Sequence, residues 1–216
     1  MPQITKLALQ KKNPQRLNVF LDDKFAFGLN LETALLAKLT KGKTISQDQI
    51  DKLLKKEQHL QLFDKSLRFL ESRPRSEYEV RIYLIKKIAT AEGIKFSQAK
   101  ESTLVEKVIL KLKKYKYLND REFANWLMAA RTKSRPKSKL ALKVELMQKG
   151  IAREQIEETL ASFPDEEELA RIAVEKKVKR WQALGEVEFK KKLQAYLLTR
   201  GFGYEIVKKT FAFFTK

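Results

Sequence analysis

The chain contains no cysteine and a single histidine, His59. Disulfides and thiolate metal sites are thereby excluded, and one imidazole cannot assemble a zinc or haem centre. No apolar run approaches the roughly 20 residues of a membrane helix, and Met1-Pro2-Gln3-Ile4-Thr5-Lys6 lacks the apolar stretch of a secretory leader. The expected setting is the cytoplasm, with no membrane partner. No Ser/His/Asp set, Cys/His set or spaced carboxylate pair stands out, so the expectation is a non-enzyme without a cofactor. Acidic residues are also in short supply: 27 Asp and Glu against 46 Lys and Arg leave a formal charge of +19. Such an excess attracts polyanions from a distance, and nucleic acid, bare or in a nucleoprotein, is the commonest of these in the cytoplasm. The excess recurs along the whole chain, unlike a basic tail on a neutral domain.

The first thirty residues read as strands. Ile4-Thr5-Lys6-Leu7-Ala8-Leu9 alternates, and Leu17-Asn18-Val19-Phe20-Leu21 faces Lys24-Phe25-Ala26-Phe27 across Asp22-Asp23, the pattern of a short hairpin. A helix over residues 29–39, closed by Gly42, is expected next. A lone hairpin is marginal, so this head should pack on the helices that follow. From Gln47 onward apolar residues recur at three and four, as in Leu60, Phe63, Leu67 and Leu70, which makes the remainder amphipathic helix.

Internal repetition organises those helices. Ser72-Arg73-Pro74-Arg75-Ser76 returns sixty-two positions later as Ser134-Arg135-Pro136-Lys137-Ser138. Both mark a helix start, with proline blocking backward extension and Ser76 and Glu79 at capping-box spacing. Lys149-Gly150-Ile151 returns fifty-one positions later as Arg200-Gly201-Phe202. Glycine there fits a left-handed helix stop, and the basic residue before it fits the negative end of the helix dipole. The same spacing carries Val105-Glu106 onto Ile156-Glu157, a third copy. About eleven extra residues lie around Ala91-Glu92-Gly93-Ile94. The expected fold is mainly α: three tandem three-helix repeats forming an elongated curved body, behind a small β-hairpin and helix head. The corresponding boundaries are 1–56 for the head and 57–118, 119–163 and 164–216 for the repeats.

With these residues in place, the chain resembles the RecX family, regulators of the RecA recombinase built from tandem three-helix repeats. The resemblance runs over nearly the whole chain. It rests on Arg73-Pro74-Arg75-Ser76-Glu77-Tyr78-Glu79-Val80, Tyr117-Leu118-Asn119-Asp120-Arg121-Glu122-Phe123-Ala124, Leu146-Met147-Gln148-Lys149-Gly150-Ile151 and Leu197-Leu198-Thr199-Arg200-Gly201-Phe202. Two places depart from the family pattern: the extra segment from Ala91 to Lys100, and Lys116, where a glycine often stands. The resemblance implies binding in the groove of the RecA filament on single-stranded DNA, with suppression of its ATPase, strand-exchange and coprotease activities. It places the protein in recombination, DNA repair and the SOS response, as a monomer, with double-stranded DNA a further possible ligand.

Between Glu122 and Glu145 the basic residues Arg131, Lys133, Arg135, Lys137, Lys139 and Lys143 occur without one acid. Exposed amides at the helix start beside these cations make a candidate phosphate site. Arg73 and Arg75 hold the matching place in the first repeat, Lys190, Lys191 and Lys192 lie in the third, and Lys149 and Arg200 precede the glycine stops. Stacked repeats would align them as a stripe, against the bland alternative of a solvated basic face. Most aromatics sit at core spacing, with Trp181 and Tyr204 the candidates for base stacking.

Two motifs are expected to be decoys. Lys41-Gly42-Lys43-Thr44 ends like a phosphate-binding loop but has Ala37 where that loop needs glycine, and reads as a turn. Asp165-Glu166-Glu167-Glu168 follows Pro164 and reads as a helix start rather than a metal-dependent nuclease centre. The rivals to filament regulation are a general helical DNA- or RNA-binding scaffold and, from the enzyme class, a nuclease using that acidic cluster.

Overall fold

The computed structural model describes residues 1–215. Strands β1 (Ile4–Gln10), β2 (Asn13–Leu21) and β3 (Lys24–Asn30) form one antiparallel sheet in that order. The head is therefore a three-stranded meander, one strand more than the expected hairpin. Asp22 and Asp23 take φ of 45° and 62°, the doubly left-handed turn whose twist matches that of the strands it joins. Helix α1 (Leu31–Leu36) is shorter than expected, because the chain leaves it at Lys38, whose φ is 49°. Lys43 Nζ donates to the carbonyls of Ala37 and Lys38 at that helix end. The lysine of the apparent phosphate loop is thus spent on a helix C-terminus, and Gly42 turns the chain back to β1 instead of closing the helix.

Ten further helices follow among the described residues: α2 (Gln47–Glu71), α3 (Glu77–Glu92), α4 (Phe96–Lys100), α5 (Thr103–Lys114), α6 (Asp120–Lys133), α7 (Lys139–Gln148), α8 (Arg153–Ala161), α9 (Glu166–Gln182), α10 (Glu186–Leu198) and α11 (Tyr204–Phe214). No described residue after Gln47 lies in a strand. The three-helix units are α2, α3 and α5, then α6 to α8, then α9 to α11. The extra segment of the first unit forms the short α4, started by Lys95 N–H donating to Gln98 Oε1 and pinned by the fully buried Ala99.

The chain forms two compact units, Met1–Phe69 with Leu84–Lys111, and Leu70–Tyr83 with Leu112–Lys216. In the first, the head packs on α2 as expected: Ile4, Leu17, Val19, Phe27 and Leu29 bury with Ile50 and Leu53. Glu57 on α2 is 3% exposed and receives Arg16 Nη1 at 2.6 Å and the Asn30 amide at 2.8 Å. A carboxylate buried to that degree is tolerable only because its oxygens are occupied. In the second unit, Phe123, Leu142, Leu146 and Ile156 form the core of α6 to α8, while Leu169, Val174, Phe189, Leu193 and Phe202 form that of α9 to α11.

One stop recurs at several helix ends, including that of α3, where Gly93 has φ of 64° and the Ile94 amide reaches back to the Ala89 carbonyl. At Gly150 and Gly201, φ is 76° and 84°, and the next amide reaches back to Leu146 and Leu197 respectively. These are the paired 6→1 and 5→2 bonds of a Schellman cap. The same pair of bonds closes α5, with Tyr117 N–H on the Leu112 carbonyl and Lys116 N–H on that of Lys113, but its left-handed residue is Lys116 at φ 60°. A side chain there costs about 1 kcal/mol relative to glycine. Lys116→Gly is therefore expected to raise stability by about 1 kcal/mol in urea melts with an unchanged m-value; a destabilised variant would mean that the lysine side chain contributes more than its backbone costs.

Candidate nucleic-acid interface

The acid-free interval folds so that its limits matter more than its interior. Glu145, which ends it, faces back along α7 and accepts from Arg131 through Nε at 2.9 Å and Nη2 at 2.5 Å, and from Lys137 Nζ at 2.9 Å. Hydrogen bonding from Arg131 outweighs burial and, with Lys137, holds this carboxyl down at about 2. Arg131 and Lys137 are consequently half-buried and paired, not the exposed contacts the sequence implied.

Arg73 is neutralised in the same way. Burial pushes the Glu79 carboxyl up, but hydrogen bonds from Arg73, at 2.9 and 3.1 Å, and from Lys149, at 2.7 Å, bring it to about 2. Glu79 therefore fulfils half of the expected capping box. Its amide donates to Ser76 Oγ, while its carboxylate binds the two cations. Arg75 reaches Ser72 Oγ at 3.1 Å.

Both carboxyls carry depressed values in the fold and ordinary ones, near 4.3, when unfolded. Their contribution to stability is complete above that ordinary value and disappears as the pH falls from there towards 2. After allowance for solvent screening it amounts to about 1 to 2 kcal/mol each. Wild type should accordingly melt above Glu145→Gln at neutral pH, with the two curves converging near pH ~2. A gap that persists to that pH would exclude the ion pair as its origin.

Several of the helix-start amides expected to receive phosphate are held by protein groups. The α7 start is closed by Lys139 N–H donating to Glu166 Oε1 at 2.8 Å, Ala141 N–H to Ser138 Oγ at 3.0 Å, and Ser138 N–H to the Arg200 carbonyl at 3.1 Å. At the α3 start, Glu77 N–H donates to Asp120 Oδ1 at 2.8 Å. The two starts obey one rule. The first residue of the next unit's leading helix supplies a carboxylate, and the glycine stop of its middle helix presses against the cap. Lys149 and Arg200 reach Glu79 and the Pro136 carbonyl across those contacts, so they tie repeats together rather than cap their own helices.

One group of exposed cations gathers in a single place within the second unit. Lys133, Ser134, Arg135 and Pro136, between α6 and α7, form one wall of a cleft of about 440 Å³; Ile172, Glu175, Lys176, Lys177 and Arg180 of α9, with Tyr196 of α10, form the rest. Lys133, Arg135, Lys176 and Arg180 are exposed and have no carboxylate partner among the described residues. Lys177 lies 5.2 Å from the Tyr196 ring and Arg200 4.4 Å from it.

The matching position in the first repeat explains the difference. Arg73 corresponds to Arg135, yet Arg73 pairs with Glu79 and covers the Trp126 ring at 5.6 Å. Alanine replaces that glutamate at position 141, and Ile172 stands where the tryptophan would be. Arg135 therefore has no such partner among the described residues. It also has φ of 59°.

The expected residues thus divide. Lys133 and Arg135 line the cleft, whereas Lys139 and Lys143 lie beside a second, apolar pocket. Lys190 packs over Phe211 and Lys191 pairs with Glu188 at 3.3 Å, so neither extends a stripe through the cleft. Lys176, Lys177 and Arg180 went unremarked in the sequence, although Lys176-Lys177-Val178-Lys179-Arg180 is a visible basic run. Trp181 is 7% exposed and belongs to the core, against the expectation of a stacking residue, while Tyr204 is exposed at 60%. Asp165 caps α9 by accepting from Glu168 N–H, and Glu166 and Glu167 face Lys139 N–H and Lys209 respectively, so the acidic cluster is dispersed as expected.

Profiles of the RecX N-terminal domain and of its first, second and third three-helix domains match residues 2–46, 63–94, 119–160 and 165–211. Regulatory protein RecX of Bacillus pumilus is 34% identical over 211 residues, covering 97% of this chain and 76% of that protein. Its Bacillus subtilis counterpart is 34% identical over 209 residues, covering 96% and 75%. The chain belongs to the RecX family. Its fold also resembles a crystal structure of regulatory protein RecX, with a TM-score of 0.63, 24% identity and coverage of 96% and 98%. RecX from Lactobacillus salivarius gives a TM-score of 0.54 at 21% identity, over 73% of this chain and 97% of that one. RecX proteins are regulatory, and no helix among the described residues is long and apolar enough to cross a membrane.

Proposed function

We propose that this RecX protein regulates a RecA recombinase by binding its filament on single-stranded DNA, and that the cleft between the second and third repeats holds the phosphodiester backbone. The observation that carries this reading is the set of unpaired cations Lys133, Arg135, Lys176 and Arg180 around one depression, where the equivalent arginine of the first repeat is neutralised by Glu79. Phosphate neutralisation supplies affinity without base readout, which suits a partner whose DNA has no fixed sequence. Regulation then takes the form of inhibition, since a body lodged against DNA and protomers opposes the rearrangements that accompany ATP turnover. Co-sedimentation with preformed RecA filaments, alongside their ATPase rate, tests it. The expected result is retention on the filament and a reduced rate at concentrations that leave naked DNA unoccupied. Equal binding to naked DNA and filament, with no change in ATPase, would reduce the protein to a general nucleic-acid scaffold.

A further inference from the structure

The outer face of α7 carries Leu140, Val144 and Met147, exposed at 67%, 45% and 60%. Their i, i+4, i+7 spacing places them on one side of the helix, while Leu142 and Leu146 enter the core on the other. Leu140 continues into a pocket of about 410 Å³, whose apolar lining is completed by Leu160 and Ala161 and whose rim holds Lys139, Lys143, Glu157 and Glu166. The two carboxylates are already engaged. Glu166 accepts the Lys139 amide at 2.8 Å, and Glu157 pairs with Arg153 at 2.9 Å, with Lys143 adding a weaker attraction. The ammonium groups of Lys139 and Lys143 have no hydrogen-bonded acid among the described residues. An aliphatic ridge beside an apolar pocket gains nothing from a phosphate backbone, whereas it matches a protein segment that presents one apolar side chain for the pocket and acids for the two lysines.

We infer that α7 is a protein-docking face for an acidic, amphipathic segment. Resting on the filament reading proposed above, that segment belongs to the recombinase, so DNA and protein are held by separate surfaces of the same chain. A photo-crosslinking amino acid placed at position 140 or 147 of the full chain, irradiated on RecA filaments formed on single-stranded DNA, tests the assignment. Crosslinks to the recombinase polypeptide are expected. A protein that sediments with the filament but crosslinks only to DNA, to a second copy of itself or to nothing overturns the docking face and leaves the filament reading intact. Failure to sediment removes the filament reading, and this inference with it. In a second arm, Leu140→Asp with Met147→Asp is expected to weaken filament binding by about tenfold or more, while binding to naked single-stranded DNA stays within about twofold and the melting temperature holds. Equal weakening on both ligands would overturn the separation of surfaces.

Discussion

Gly201→Ala is expected to cost about 2 to 5 kcal/mol, enough to remove a large share of the stability of a domain this size. Two terms add. At φ 84° any side chain meets the left-handed penalty of about 1 to 2 kcal/mol. A Cβ would also lie 2.7 Å from Ala141 Cβ and 2.7 Å from Ser138 Oγ, at the start of α7. Relieving that overlap must separate the third repeat's middle helix from the cap it closes, stretching the bond from Ser138 N–H to the Arg200 carbonyl. Overpacking of this kind costs about 1 to 3 kcal/mol. Gly185 supplies the control, because its φ is 89° but nothing lies within 4 Å of a built Cβ. Gly185→Ala should show the backbone term alone, about 1 to 2 kcal/mol. Denaturant melts of the two variants would separate the contributions, and equal losses would refute the claim that the glycine stops act as contact points between repeats.

That rule was half legible in the sequence. The recurrence of Lys149-Gly150 as Arg200-Gly201 marked the helix stops, and positive φ at both glycines agrees with it. The destination of the preceding cation was not legible. Lys149 meets Glu79 seventy positions away, and Arg200 meets Pro136 sixty-four away, so only the stacking of repeats brings them together. Glu145 teaches the same lesson at shorter range. The acid-free interval implies an exposed basic face, yet the residue that ends it reaches back along the chain and collects Arg131, fourteen positions away, and Lys137, eight away. Periodicity reports which side of a helix is apolar; it does not report which charges cancel. Lys176 and Arg180 are not legible as site residues for the complementary reason, since they join Lys133 and Arg135 only when α9 is laid beside the connection from α6 to α7.

Replacing Lys133, Arg135, Lys176 and Arg180 together by glutamine is expected to weaken binding to single-stranded DNA by about 100-fold near 0.1 M salt, at about 0.7 kcal/mol per lost phosphate contact. The salt dependence should change with the affinity. Each abolished contact removes about 0.7 from the log-log slope, so the variant's slope should be shallower by up to about 3. Stability should hardly move, because none of the four side chains has a carboxylate partner among the described residues to leave stranded. Arg131→Gln with Lys137→Gln, which removes the same kind of charge from the same stretch of sequence, should invert the pattern. It strips Glu145 of both its partners and leaves a half-buried carboxylate unpaired, so melting should fall. Naked-DNA affinity, measured where the double variant remains folded, should change far less than in the cleft variant. Loss of DNA binding in the Arg131 and Lys137 variant, with the cleft variant unaffected, would move the interface to the Glu145 side of α7 and dismiss the cleft.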